Sequence, residues 1–209
     1  MRLVTVSASY GAGGSVVAPR LAGRLGLPFA DRLIPATDGP APGPGTERVT
    51  EEERRQKSRS TFLSRLAYIT GGLGLPVPTP EDLADPVREQ VQGSIERLAQ
   101  TTGAVILGRA AAVVLADHPQ AFHVRLDGPL ARRTGRAMGI EGVDEPTARS
   151  RLEETDRART QYVERLYGRD PADPRLYHLI LDSTVLSVDA TVEVVTSAAV
   201  AFWEYGKLP

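Results

Sequence analysis

RLVTVSASYGAGGSVVA, residues 2–18, is the stretch on which the reading of the whole chain turns. An apolar, largely β-branched run, Leu3, Val4, Thr5 and Val6, leads into a glycine-rich turn of Gly11, Ala12, Gly13 and Gly14, and an apolar helical pattern begins at once behind it. A strand that passes through glycines into a helix turns several backbone N–H groups toward one small volume, and the helix N-terminus adds partial positive charge. Such a turn holds a polyphosphate. Glycine is needed because a Cβ would bar the close approach of the anion. The phosphate-loop pattern G-x-x-x-x-G-K-[ST] falls on Ala8, Gly13, Gly14 and Ser15, so two of its four fixed positions match and glycine stands at the lysine. The shape agrees with phosphate binding, and the charge does not.

Outward from this loop, Val16 to Gly26 reads as the first helix, with Val17, Leu21 and Leu25 on one face and Gly26 as its C-terminal stop. Leu27, Pro28, Phe29 and Ala30 predict a short strand ending at Asp31 and Arg32. The glycine- and proline-dense run ATDGPAPGPG, residues 36–45, predicts a mobile surface loop. An amphipathic helix is expected over Glu51 to Ile69, and a second opens at Thr79-Pro80-Glu81-Asp82 and runs to about Gln100. These two read as packing elements plus a flap.

Ala104 to Leu107, Ala121 to Leu126 and Leu179 to Leu181 are short apolar runs separated by helical patterns, which implies a parallel sheet with helices on both faces. The strand ends at Ser7, Gly108, Asp127 and Asp182 then lie along one rim, the edge at which open α/β sheets bind ligands. Two arginine-dense helices, Leu130 to Met138 and Glu145 to Leu166, meet at Gly139 to Asp144 and have the form of a lid. A last helix, Val188 to about Tyr205, closes the fold.

The 209 residues suffice for one core, with Lys and Arg (25) nearly balancing Asp and Glu (26), so no field of the kind a general nucleic-acid binder carries is expected. There is no cysteine, which excludes thiolate metal sites, disulfides and a cysteine nucleophile. No apolar run approaches the ~20 residues that span a bilayer, and the first residues form a strand, so the chain reads as cytoplasmic. Lys57 and Lys207 are the only lysines, and because arginine is abundant each arginine needs a positional reason before it counts as a ligand. Arg109 has the best one, following a buried strand and a glycine. Arg157 and Arg159 come next, because Asp156 beside them can fix one guanidinium while another binds phosphate. Arg132, Arg133 and Arg136 read as a solvated helix face. Ser15 has two open roles, a helix cap or a hydroxyl reaching Mg²⁺. Asp127 and Asp182 read as turn or capping carboxylates that could also orient a metal's waters, and His118, His123 and His178 as structural.

These residues resemble the nucleoside monophosphate kinases, and in particular the cytidylate kinase-like branch, over almost the whole chain. The stretch SASYGAGGSVVAPRLAGRLGLPFADRLI (7–34) looks like the start of that branch, where a double glycine commonly stands for Gly-Lys. VILGRAAAVVL (105–115) is similar to the strand and Gly-Arg that contact a monophosphate, and LDGPLARRTGRAM (126–138) to the strand, proline and basic lid helix. EETDRARTQYVERLYGRDPADPRLYHLILDST (153–184) looks like the second half of the lid and the closing strand. Two positions depart from the pattern. Ala110 stands where cytidylate kinases proper carry an Asp, and Ala8 and Ser15 stand where the related branch often carries arginines.

The resemblance implies an α/β P-loop kinase fold of three layers with a parallel sheet of about five strands. It implies one domain over 1–209, with an NMP-binding flap at about 36–80 and a helical lid at about 132–170. It also implies ATP and Mg²⁺ as cofactors, a nucleoside monophosphate such as CMP as acceptor, and a monomer or homodimer. By position, Gly11, Ala12, Gly13, Gly14 and Ser15 hold the donor phosphates, with Ser15 at the metal. Arg109, Asp31, Asp182 and Ser183 serve the acceptor. Arg157, Arg159 and Asp156 act from the lid, in the place of the missing lysine. The alternatives are a nucleotide-binding pseudokinase, or a kinase of this fold with a non-nucleotide acceptor.

Overall fold

The computed structural model describes residues 1–31 and 89–205, except 90, 91, 94, 98, 101, 102 and 109. The run Leu3–Ala8 is strand β1, buried along its first four residues as its unbroken apolar sequence requires. It is the middle of a sheet. β3 (Ala104–Leu107) pairs on one side with Val6 opposite Leu107, and β4 (Ala121–Asp127) on the other with Ala8 opposite Leu126. β2 (Phe29–Asp31) adds outside β3, and β5 (Leu179–Asp182) outside β4, giving the order β2-β3-β1-β4-β5 with every pairing parallel. The chain first builds outward through β2 and then crosses β1 to reach β4. That reversal puts a crevice at the carboxyl end of β1, where the glycine loop begins.

Five α-helices, α1 (Gly14–Leu25), α2 (Ala111–Val114), α3 (Leu130–Glu141), α4 (Glu145–Tyr167) and α5 (Val188–Tyr205), and two 3-10 turns, Pro174–Leu176 and Ser183–Val185, complete the described elements. Helical residues also occur between 89 and 100, where the second amphipathic helix was expected. The expected helix over 51–69, the loop at 36–45 and the flap lie outside the described residues. α1 begins at Gly14, two residues before the apolar period predicts, because Gly13 at φ 82 is the turn residue in front of it. It ends as expected on Gly26, whose left-handed φ of 65 returns its N–H to Ala22 and Gly23.

Val17, Leu21, Val195 and Trp203 join Val4, Val6, Val105, Val124 and Leu126 in one core between α1, α5 and the sheet. The Trp203 indole donates to Gln120 O at 3.0 Å, and the Arg2 guanidinium lies 5.2 Å above the ring. Arg20–Asp189 and Arg24–Glu193, each 2.9 Å, tie α1 to α5 on the exposed side, where solvent screens such pairs. The reading of Leu179 to Leu181 as a strand covered on both faces needs correcting. β5 is an edge strand and Ile180 is 46% exposed.

Under β4, His123 is buried with both ring nitrogens engaged, Nδ1 with Thr5 Oγ1 at 2.8 Å and Nε2 with Leu115 O at 3.2 Å. His178 stacks on it with centroids 5.0 Å apart. Burial, reinforced by His178 and only partly offset by the Leu115 carbonyl, pushes the His123 pKa down to about 4. An unfolded chain therefore takes up a proton below about pH 6.5 that the folded chain refuses until about pH 4, so stability must fall with pH across that window. About 2 kcal/mol is expected to be lost between pH 7 and pH 5. Urea melts at the two pH values should show this loss in the wild type and a flatter profile in His123→Gln; equal slopes in the two proteins would refute the assignment.

Candidate donor-phosphate site

The glycine loop is shaped by what its backbone groups bond to. Ser9 N–H continues the ladder to Leu126 O at 3.1 Å, Ala12 N–H closes a turn on Ser9 O at 3.1 Å, and Val17 N–H reaches Gly13 O at 2.9 Å. Tyr10 N–H donates to Asp156 Oδ1 at 2.8 Å. Among the described residues, the N–H groups of Gly11, Gly13, Gly14 and Ser15 have no acceptor. Gly11 and Gly13 both hold left-handed φ, 77 and 82, at the start of α1, a backbone pattern of the kind from which anion-binding loops are built. The structure thus brings together Gly11, Ala12, Gly13, Gly14 and Ser15.

The lysine position has a steric explanation. A Cβ on Gly14 would be driven into the Cβ of Ala8, with Leu107 Cδ1 a further 3.4 Å neighbour. Where the pattern has Gly and Lys, this chain has Ala and Gly, and the methyl of Ala8 occupies the space that the stem of the lysine needs. Ser15 is exposed in the first turn of α1, and the residue at the cap position is Gly13. Ser15 therefore does not cap the helix. Among the described residues no group of three or more His, Cys, Asp or Glu is arranged to hold a metal ion. The residues fit Mg²⁺ only through Ser15 together with bound phosphate, since the nearby carboxylates are already committed.

Asp127, at the end of β4, accepts Gly128 N–H at 2.9 Å and the Arg125 guanidinium at 3.0 Å. Burial alone would raise its pKa, but Gly128 N–H, the Ser9 hydroxyl and Arg125 outweigh it and hold the carboxyl below the usual range. Asp182 accepts Thr184 N–H at 3.0 Å and pairs with Arg132. The buried Ser183 hydroxyl donates to Ala12 O at 2.7 Å. The structure thus places Asp182 and Ser183, named from sequence for the acceptor, against the donor loop and α3. Asp31 ends β2 opposite Leu107, at the same sheet edge but two strands from β1. Arg109 lies outside the described residues. Its neighbour Ala110 holds a left-handed φ of 56, which costs a non-glycine residue about 1 kcal/mol.

The basic residues of α3 correct the solvated-face reading. Arg133 has a side chain 12% exposed: Nε donates to Gly128 O at 2.8 Å, and NH1 to Tyr10 O at 3.0 Å and Asp156 Oδ2 at 2.6 Å. The Arg136 guanidinium lies on Gly13, 3.0 Å from where a Cβ would stand, and donates to Ser183 O at 2.6 Å. Arg132 alone of the three is half exposed, at 49%. On α4, Asp156 and Arg159 face the loop, Arg159 donating to Ala8 O at 2.8 Å with Asp156 Oδ1 at 3.8 Å. Arg157 is exposed, with no hydrogen bond or ion pair among the described residues, so the structure separates it from Arg159. Sequence reasoning missed Arg133, Arg136 and Tyr10. The one signal present was the spacing of three between the arginines, which puts both on one helical face.

A match to the cytidylate kinase-like family covers residues 3–185. A cytidylate kinase of Methanopyrus kandleri is 36% identical over 112 residues, 49% of this chain and 58% of that protein. The chain thus matches less than two thirds of that relative's length. Among solved structures, an uncharacterized protein from Eubacterium ventriosum superposes with a TM-score of 0.65 at 19% identity, covering 95% of this chain and 98% of that one. A gluconokinase from Sinorhizobium meliloti 1021 superposes with a TM-score of 0.55 at 19% identity, covering 97% and 94%. The five-stranded parallel sheet, the helices on it and these neighbours make the architecture an α/β P-loop kinase fold. With a glycine loop at the end of its central strand and the family match running over residues 3–185, this chain belongs to the cytidylate kinase-like family.

Proposed function

We propose that the protein is an ATP-dependent kinase that transfers a γ-phosphoryl group to a small-molecule acceptor, with a nucleoside monophosphate such as CMP as the first candidate. The observation that carries this reading is the set of four unbonded amides at Gly11, Gly13, Gly14 and Ser15, flanked by the guanidinium groups of Arg136 and Arg159. Phosphoryl transfer asks a protein mainly to hold donor and acceptor in line and to neutralise the moving charge. The glycine loop binds the donor phosphates. Bound Mg²⁺, held by Ser15 and the phosphates, would supply charge neutralisation there. Arg159 takes the place of the lysine, with Asp156 holding it toward the loop, and Arg157 joins only if α4 turns or moves. Arg109 and Asp31 remain the proposed acceptor contacts, while Asp182 and Ser183 brace the donor loop. A cleft of about 770 Å³ walled by Glu89, Gln92 and Glu96 and, near the end of α4, by Arg165 has room for such an acceptor. In domain terms the α3–α4 hairpin is the lid and 36–80 the flap. We place the protein in the cytoplasm as a monomer or homodimer.

A second reading, a pseudokinase that binds nucleotide without turnover, is favoured by the methyl of Ala8 filling the lysine's place. One experiment separates them. Purified protein with ATP and Mg²⁺ is offered CMP, dCMP, UMP and AMP while ADP release is followed, and ATP binding is measured by calorimetry. Turnover is expected with at least one acceptor, and Arg159→Ala should lower it by about 10²–10³, the loss typical of a donor aimed at transition-state charge. ATP binding without ADP from any acceptor would favour the pseudokinase.

A further inference from the structure

Tyr10 starts in the donor loop and ends inside the hairpin. Its residue is 8% exposed, and it forms a small apolar cluster with Ala137 of α3 and Ala148 and Leu152 of α4, with Met138 and Val143 packed around it. This cluster is distinct from the main core between α1, α5 and the sheet. The Tyr10 hydroxyl donates to Glu141 at the end of α3, whose other oxygen accepts from Arg151 of α4 at 2.8 Å. Its N–H goes to Asp156 of α4 and its carbonyl accepts from Arg133 of α3. Ring, hydroxyl, N–H and carbonyl of one loop residue are therefore all seated in the same helical hairpin. The next residue continues the seam: a Cβ on Gly11 would strike the Arg133 carbonyl.

We propose that Tyr10 is a positioning residue that makes the donor loop and the α3–α4 hairpin one mechanical body. Glycine-rich loops owe their freedom to positive φ and absent side chains. Here that freedom is removed from outside the loop, because the ring cannot leave its seat without opening a void in the hairpin's own core. The amides of Gly11 and Gly13–Ser15 are thereby aimed before any phosphate arrives, which lowers the cost of binding one. The converse also holds. Whatever shifts the hairpin shifts the aim of the amides, so closure over a substrate and the grip on the donor are a single equilibrium.

The nucleotide arm of the test rests on the kinase reading; the exchange arm does not. Hydrogen exchange is followed by mass spectrometry in the ligand-free wild type, Tyr10→Phe, Tyr10→Ala and Leu152→Ala, and Mg-ATP affinity is measured by calorimetry. In Tyr10→Ala, segment 130–167 should exchange at least tenfold faster, the sheet segments 3–6 and 121–126 should keep wild-type rates, and ATP should bind at least tenfold more weakly. Tyr10→Phe keeps the ring and should stay within threefold on both measures. Leu152→Ala alters only the hairpin side of the seat, yet should speed exchange of the hydrogen-bonded amides in 9–17 and weaken ATP binding. Leu152→Ala that loosens the hairpin while 9–17 and ATP affinity stay at wild type would overturn the proposal, as would wild-type exchange of 130–167 in Tyr10→Ala. If Tyr10→Ala fails to fold, Leu152→Ala and Tyr10→Phe still decide it. If the wild type binds no ATP, the kinase reading fails while the exchange data still test the coupling.

Discussion

Gly14→Lys, the substitution that restores the phosphate-loop pattern at its missing position, is expected to damage the protein, and the damage is expected to vanish when Ala8→Gly is added. The new Cβ collides with the Ala8 methyl, backbone-anchored on both sides, so the loop has to shift; overpacking of this kind costs about 1–3 kcal/mol. The shift also turns the four unbonded amides away from their common focus. Thermal melts should show the loss of stability, and calorimetry should show Mg-ATP binding at least tenfold weaker than wild type. The backbone at residue 14 is not among the positive-φ positions, so lysine itself is admissible once the methyl is gone. The Ala8→Gly/Gly14→Lys protein should recover wild-type melting and gain a cation at the β- and γ-phosphates, where one well-aimed donor is worth about 3 kcal/mol of transition-state stabilisation. A turnover rise of about a hundredfold would mean that the chain is a kinase held back by its loop. If Gly14→Lys alone melts and binds like the wild type, Ala8 is not the obstacle.

Arg133→Ala should cost more stability than either of the other arginine substitutions in α3, although that helix carries three arginines in five residues and sequence ranks them equally. Its guanidinium joins the turn after β4, the glycine loop and α4 through Gly128 O, Tyr10 O and Asp156. Without it, Asp156 keeps the Tyr10 N–H but loses its buried countercharge. Removing one partner of a well-buried pair costs about 3–5 kcal/mol, and with Asp156 28% exposed about 2–3 kcal/mol is expected. Turnover should fall by about a hundredfold through misplacement of loop and hairpin alone. Arg133→Lys keeps the charge but not the fork that reaches several oxygens at once, so it should recover only part of both losses. Arg132→Ala is the control: its half-exposed bond to Thr184 and Asp182 is screened by solvent, so its melt should stay close to that of the wild type. Chemical melts and ADP release in parallel test this, and Arg133→Ala behaving like Arg132→Ala would remove Arg133 from the centre of the site.

Much of the described fold is legible without coordinates. α5 runs over Val188–Tyr205 as its apolar period predicts, and α4 ends one residue past the expected Leu166, on Gly168 at φ 61. These boundaries are local: a period of 3.6 residues, a proline near a helix start, a glycine at its end. The phosphate-binding shape of the loop is legible for the same reason, since strand, glycines and helix follow one another within residues 3–25. What could not be read is which side chains the loop meets. Tyr10 is 146 residues from Asp156 and 131 from Glu141, and no pattern of spacing records such a pairing. The contacts of Asp182 and Ser183 could not be read for a related reason. They do end a strand at the ligand-binding edge, but β5 stands beside β4, and that neighbour delivers them to Ala12 and Arg132.

By itself, then, the sequence determined a parallel α/β sheet, a glycine loop at the end of its first strand and a basic helical hairpin beyond it, because each follows from residues adjacent in the chain. Tertiary structure alone decided that Ala8 fills the lysine's space, that Gly13 and not Ser15 stands at the cap of α1, that Arg159 and not Arg157 reaches the loop, and that Tyr10 joins loop to hairpin. Each of these is a contact or a clash between atoms that only packing brings together, at distances where a single methyl or guanidinium changes the outcome.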